Sequence, residues 1–255
     1  MQRIKKMDYE LVAPYLLSSF PTNTAIKSIL AGLTPGRLYS DHPENPAIIF
    51  AQFRHRAFLT GDPTRLDFKN FESFMESTIF ENCSLWDVPL FRLAVDPLEW
   101  MEVLEKKLSS RLPIMIPYRC YQYDIPEQLP EAKPPKGFTL NQVTADLINT
   151  EFDGKNDLLD EMCSERESVK AFLQKSFGMA AFHHQTLAGW CLSEYNIDNQ
   201  CEVGIATIPA FQKRGLAKAM TRAFIKQAAT SGNERILWHC YRSNEASWRT
   251  AISVG

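Results

Sequence analysis

Prolines at 126, 130, 134 and 135, closed by Gly137, fall in one short polar stretch. No helix interior and no central strand can run through it. Each proline lacks an amide hydrogen, and its ring clashes with the preceding turn. The stretch therefore reads as a linker over residues 125–136, between an N-terminal lobe (1–124) and a C-terminal lobe (137–255). A chain of 255 residues is a comfortable length for two such lobes.

Bulk properties exclude several classes. Hydrophobic residues are 45% and charged residues 23% of the chain, enough for a core of ordinary size. A formal net charge of -2 offers no electrostatic attraction to nucleic acid. Cysteines stand at 83, 120, 163, 191, 201 and 240 with no Cys-x-x-Cys pair, so neither a zinc site nor a disulfide framework is expected. They read as reduced, mostly buried thiols. The start is basic, but Asp8 and Glu10 follow at once, and the apolar run from Leu11 to Leu17 is short and holds Pro14. That is neither a signal peptide nor a membrane span. A cytoplasmic protein with no membrane, nucleic-acid or metal partner is expected.

In the N-terminal lobe, 47–53 and 56–60 predict two strands, 69–79 a helix, Asp96-Pro97 a capped helix start, and 114–123 a further strand. Trp86 and Trp100 read as core. In the C-terminal lobe, 138–143 predicts a strand, and 145–177 is largely helical with a break near Asp153-Gly154. Residues 178–183 and 187–195 form a hairpin, and 200–208 a strand. A helix over 215–230 has Leu216, Ala219, Met220, Ala223 and Phe224 on one face. A strand at 235–241 and a helix at 244–254 follow. The class is α/β with mixed sheets.

The chemistry concentrates in 202–217, Glu-Val-Gly-Ile-Ala-Thr-Ile-Pro-Ala-Phe-Gln-Lys-Arg-Gly-Leu-Ala. A strand ends, a short loop turns, and a helix opens at Gly215. Amides of a first helical turn lack partners, the helix dipole is positive there, and glycine admits close approach. Lys213, Arg214 and Lys218 add charge. The pattern points to phosphate or pyrophosphate, yet it is neither a P-loop nor a dinucleotide fingerprint.

Gln212, Gly215 and Ala217 meet the pattern Arg/Gln-x-x-Gly-x-Gly/Ala, so the segment resembles the GNAT N-acetyltransferases. Glu202 on the preceding strand, Pro209 at the turn, and Asn244 opening the helix after the next strand extend the likeness. Lys136-Gly-Phe138, Phe177-Gly178 and 202–207 look like the zwittermicin A resistance group within that family. The resemblance implies a GNAT fold in the C-terminal lobe with acetyl-CoA as cosubstrate. It implies pantetheine along Ile205, Ala206 and Thr207, and pyrophosphate on the loop and first turn formed by Gln212, Lys213, Arg214, Gly215, Leu216, Ala217 and Lys218. Asn244 touches the cofactor or simply caps its helix.

The implied reaction is direct attack of a small molecule's primary amine on the acetyl thioester. Glu202 is the candidate base, with a carboxylate raised by apolar neighbours. The family's usual acid is a Tyr where this chain has Ala251, leaving Ser247 or Tyr241 as substitutes, or none. Cys240 reads as a core thiol, His183-His184 as a turn pair with one solvated ring, and His239 as a sheet histidine with its hydrogen bonds met. By analogy, the N-terminal lobe is a degenerate GNAT-like half. A catalytically silent acetyl-CoA-binding module and a longer-chain acyltransferase are the alternatives, and a homodimer is compatible. Such a domain ordinarily continues beyond Gly255 with one more strand, so either the chain is a fragment or another element covers that sheet edge.

Overall fold

The computed structural model describes residues 1–42, 44–81 and 91–255, which form two compact units, Met1–Met115 and Ile116–Gly255. Cys83 and Trp86, considered above, lie outside the described residues. The first unit holds β1 (Gln2–Arg3), α1 (Tyr9–Ser19), α2 (Thr24–Leu30), β2 (Arg37–Ser40), β3 (Ile48–Phe53), β4 (Arg56–Gly61), α3 (Phe68–Phe74), β5 (Arg92–Asp96) and α4 (Glu99–Lys107). Its sheet order is β1-β2-β3-β4-β5, antiparallel throughout except for the parallel β4–β5 pair. Tyr39, Phe50, Phe71, Phe74 and the fully buried Trp100 fill one core. Helix α4 begins at Glu99 behind a cis Asp96–Pro97 bond; Asp96 ends β5 and does not cap it.

The second unit holds β6 (Tyr118–Asp124), β7 (Thr139–Gln142), α5 (Ala145–Asn149), α6 (Lys155–Met162), α7 (Val169–Lys175), β8 (Gly178–His183), β9 (Thr186–Ile197), β10 (Gln200–Thr207), α8 (Leu216–Thr230), β11 (Arg235–Tyr241) and α9 (Glu245–Val254). Its sheet runs β6-β11-β10-β9-β8-β7. The expected long helical region is three short helices. Thr144 and Ser168 cap two of them, accepting the amides of Leu147 and Ala171, and Gly154 breaks the run at φ 84°. One face of the sheet packs α8 and α9 through Met220, Phe224 and Ala251; the other packs α6 and α7 through Leu158, Met162 and Phe172.

Apart from β6, both units follow one plan: a strand, helices, a three-strand meander, a helix, a parallel strand and a last helix. The first unit is thus a topological copy of the second, in keeping with the expected GNAT-like half.

The linker expectation needs correction. Residues 125–136 carry no helix or strand, but β6 lies before them and pairs along β11 from Arg235↔Asp124 to Tyr241↔Tyr118. The division falls at 115/116. Prolines stop regular hydrogen bonding without marking where packing changes partners. The outer edge of β11 is thereby covered, from an earlier part of the chain.

Phe224 is fully buried and stacks on Phe177 with ring centroids 5.1 Å apart. Phe224→Ala should lower unfolding free energy by about 3–5 kcal/mol in a denaturant titration, the usual result of emptying such a site. A loss under about 1 kcal/mol would show that this core collapses around the gap.

Candidate functional site

The site begins where backbone pairing stops. Strands β10 and β11 pair in parallel only from Gln200↔Arg235 to Glu202↔Leu237. Strand β10 nevertheless stays paired to β9 as far as Thr207, and β11 to β6 as far as Tyr241. The two strands therefore part beyond Glu202 and Leu237. The facing edges of 203–207 and 238–241 offer a wedge lined by main-chain donors and acceptors, which an extended polar ligand can join as an added strand. Ile205, Ala206 and Thr207 lie half-buried on it.

Past the end of β10, the turn over Pro209–Phe211 leads to Lys213 and Gly215, at φ 60° and 80°. Gly215 sits at the N-cap of α8 in the left-handed region that favours glycine, and no side chain caps the first turn. Amides of a 15-residue helix thus open outward beside exposed Lys213 and Arg214 and half-buried Lys218. The Gln212 amide Nε2 donates to the Thr207 carbonyl at 3.0 Å, tying the loop to the strand. Arg214 reaches the Ala210 carbonyl at 3.4 Å. Leu216 is core, and Ala217 follows it in the first turn.

Among its described residues the first unit shows neither feature. Its parallel pair runs unbroken from Arg56↔Arg92 to Thr60↔Asp96. At its equivalent helix, the Asp67 carboxylate caps α3 and accepts the Asn70 amide at 3.2 Å, putting negative charge where an anion would bind.

Glu202, the last β10 residue to pair with β11, is buried, with 8% of its side chain exposed. Its Oε1 lies 2.9 Å from Nδ1 of His239, which is itself 16% exposed. Burial presses the imidazole toward neutrality. The Glu202 charge, hydrogen bonds to Cys120 and Glu202, and the Cys120 charge outweigh that, so its pKa rises from 6.5 to about 10. Glu202 therefore faces an imidazolium, not the purely apolar setting expected of a raised carboxylate. Beside it, the β9–β10 register shifts between Cys201 and Val203, with Cys201 opposite Asn196 and Val203 opposite Ser193. Glu194 and Tyr195 thus share the space opposite Glu202, a bulge that re-aims side chains. The Glu194 carboxylate lies over Gly204, where an added Cβ would collide with its Oε1.

Behind the bulge, the loop between α6 and α7 sends in Glu165 and Arg166, both buried. The Tyr195 hydroxyl donates to Glu165, and Arg166 Nε donates to Ser176 Oγ at 2.9 Å. Burial lowers the Arg166 guanidinium, and Tyr195, Glu167, Glu165 and Glu194 oppose that drop.

The remaining expected residues scatter. Ser247 Oγ accepts the Trp238 indole Nε1–H at 2.9 Å within the α8–α9 core, on the opposite sheet face from Glu202. The structure does not bring the two together. Asn244 caps α9, its Oδ1 accepting the Ser247 amide at 3.1 Å. Ala251 and Cys240 are core. His184 is exposed and His183 packs near Phe138 and Phe211, as a turn pair would. Among the described residues, no group of His, Cys, Asp and Glu could hold a metal, and no helix is long and apolar enough to cross a membrane. Sequence reading missed the partnership of Glu202 with His239 and Cys120. The one usable signal was alternation in 235–241, which puts His239 on the face away from Trp238 and Cys240.

A meander whose parallel neighbour splays away, followed by an open helix N-terminus, defines an acyltransferase architecture. The family profile described as GNAT acetyltransferase matches residues 15–255, and the chain belongs to that family. A Bacillus subtilis protein named "Uncharacterized N-acetyltransferase YdfB" is 25% identical over 242 residues, covering 91% of this chain and 85% of its own. A GCN5-related N-acetyltransferase-like protein from Streptococcus suis superposes with TM-score 0.64 at 18% identity, over 98% of this chain and 94% of that one. A tandem GNAT protein from the clavulanic acid biosynthesis pathway gives 0.54 at 12% identity, over 100% and 93%. These solved structures share the fold, including the two-unit plan.

The raised His239 pKa fixes a sign. Its pairing stabilises the fold fully below about pH 6.5, and that contribution is lost as pH rises through about 10. The melting-temperature gap between wild type and His239→Gln should therefore narrow steadily from pH 6.5 to 10. A gap constant across that range would mean that the imidazole holds no charge in the folded protein.

Proposed function

We propose that this GNAT acyltransferase moves an acetyl group from acetyl-CoA to a primary amine of a small molecule by direct attack. The observation that carries this reading is the wedge between β10 and β11 running toward the uncapped N-terminus of α8. Pantetheine would lie along Ile205, Ala206 and Thr207, bonded like a strand. The pyrophosphate would meet the amides from Lys213 to Lys218, with the Lys213, Arg214 and Lys218 charges beside it. The thioester carbonyl would take a main-chain N–H of β10, where charge develops in the transition state.

An ammonium has no lone pair, so the acceptor must shed a proton before it attacks. Glu202 is the group on this face to receive it, directly or across one water, with His239 fixing the carboxylate's orientation. Glu194 adds a second negative charge on the same face, which favours a cationic acceptor over an acidic one. Ser247 is engaged with Trp238, and Ala251 stands where the family's tyrosine would be. The departing CoA thiolate therefore leaves without a side-chain acid from α9.

Two substitutions test this. Gly215→Glu puts bulk and negative charge at the pyrophosphate position and should abolish acetyl-CoA binding in calorimetry. Undiminished affinity in the folded variant would remove the cofactor site from α8. Glu202→Gln, assayed for thiol release across a panel of small primary amines, should cut kcat by about 100-fold with acetyl-CoA affinity unchanged. Equal rates for the variant and wild type at every pH would rule out Glu202 as the base.

A further inference from the structure

Cys120 is the exposed cysteine of the described chain, where buried thiols were expected. It lies on β6 directly across from His239, in the Cα register Cys120↔His239. Partners facing each other across antiparallel strands have Cβ atoms about 5 Å apart on one face, within side-chain reach. Glu202 occupies Nδ1 of the same imidazole from the other side, at 2.9 Å. Thiol, imidazole and carboxylate therefore stand in line on three successive strands, β6, β11 and β10, with the thiol outermost. The neighbouring residues on this face of β6, Tyr118 and Gln122, are exposed as well, so a reagent can approach from solvent.

We propose that Cys120, His239 and Glu202 form a nucleophilic triad and that Cys120 takes acyl groups from thioesters. A thiolate is the reactive form of cysteine, and an adjacent imidazolium held by a carboxylate stabilises it. Against the pull of burial, the Glu202 charge above all keeps His239 protonated beside Cys120. In the step, the Cys120 thiol loses its proton to water, and its Sγ attacks the thioester carbonyl and forms a new C–S bond. The bond to the leaving thiol breaks, and His239 gives that thiolate its proton. Nothing is oxidised or reduced, and no amine is consumed, so the step is separate from direct transfer to an acceptor. The choice of thioesters rests on the acetyl-CoA reading above, because the triad ends at Glu202, where the wedge opens. The acyl donor is either the bound cofactor or a thioester arriving from solvent.

The test incubates the full chain, without any amine, with acetyl-CoA or with S-acetyl-N-acetylcysteamine, a thioester lacking the nucleotide. Peptide mass spectrometry then follows acetylation of Cys120 against half-buried Cys163. Cys120 should acylate about tenfold faster than Cys163, lose the group to neutral hydroxylamine, and slow about tenfold in His239→Gln. Labelling by both thioesters supports the triad with solvent access, and labelling by acetyl-CoA alone supports it with the bound cofactor as donor. Cys120 reacting no faster than Cys163 with either donor overturns the proposal, and that comparison needs no variant to fold. An unchanged rate in folded His239→Gln overturns it equally. Calorimetric binding of acetyl-CoA separates the two readings. Binding without acylation sinks the triad alone, and acylation by the short thioester without binding sinks the cofactor site alone.

Discussion

A sheet strand that loses its neighbour must find other partners for its backbone, and that requirement organises the second unit. Three residues of parallel pairing join β10 to β11, after which the strands diverge. Each is paired on its other side, β10 with β9 and β11 with β6, so both flanks of the opening are anchored in the sheet. Strand β6 matters as much as the wedge it borders. Without it β11 would be an edge, free to swing across and close the gap.

The comparison between the two units sharpens this. Both follow the same element order, yet in the first the parallel pair is continuous and an aspartate closes the helix N-terminus. Fold alone does not make a site. Separated strands and a helix start left open by glycine are what distinguish the half proposed to bind cofactor from the half that shares only its topology.

A second layer of control lies in the polar groups around the bulge. Glu165, Arg166 and Tyr195 are buried together, where unpaired charge would be costly, and each finds a partner there. Their packing holds β9 where Glu194 crosses over Gly204 and Glu202 turns toward His239.

Local chemistry was legible in the residues themselves. Leu216 to Phe224 read as a helix with one buried face, Gly215 as its opening, and capping was one of the two roles that Asn244 offered by type and place. These depend on neighbours a few positions away, which the chain order displays. The early end of β10–β11 pairing, the enlistment of β6 from ahead of the prolines, and the alignment of Cys120, His239 and Glu202 join positions far apart in the chain, as Gln200 meets Arg235 and Cys120 meets His239. Periodicity along the chain carries no record of strand register, and register alone determines which side chains meet. The family and the open helix start at Gly215 were therefore set by sequence, while tertiary structure placed Ser247 on the sheet face opposite Glu202 and gave Glu202 its partners.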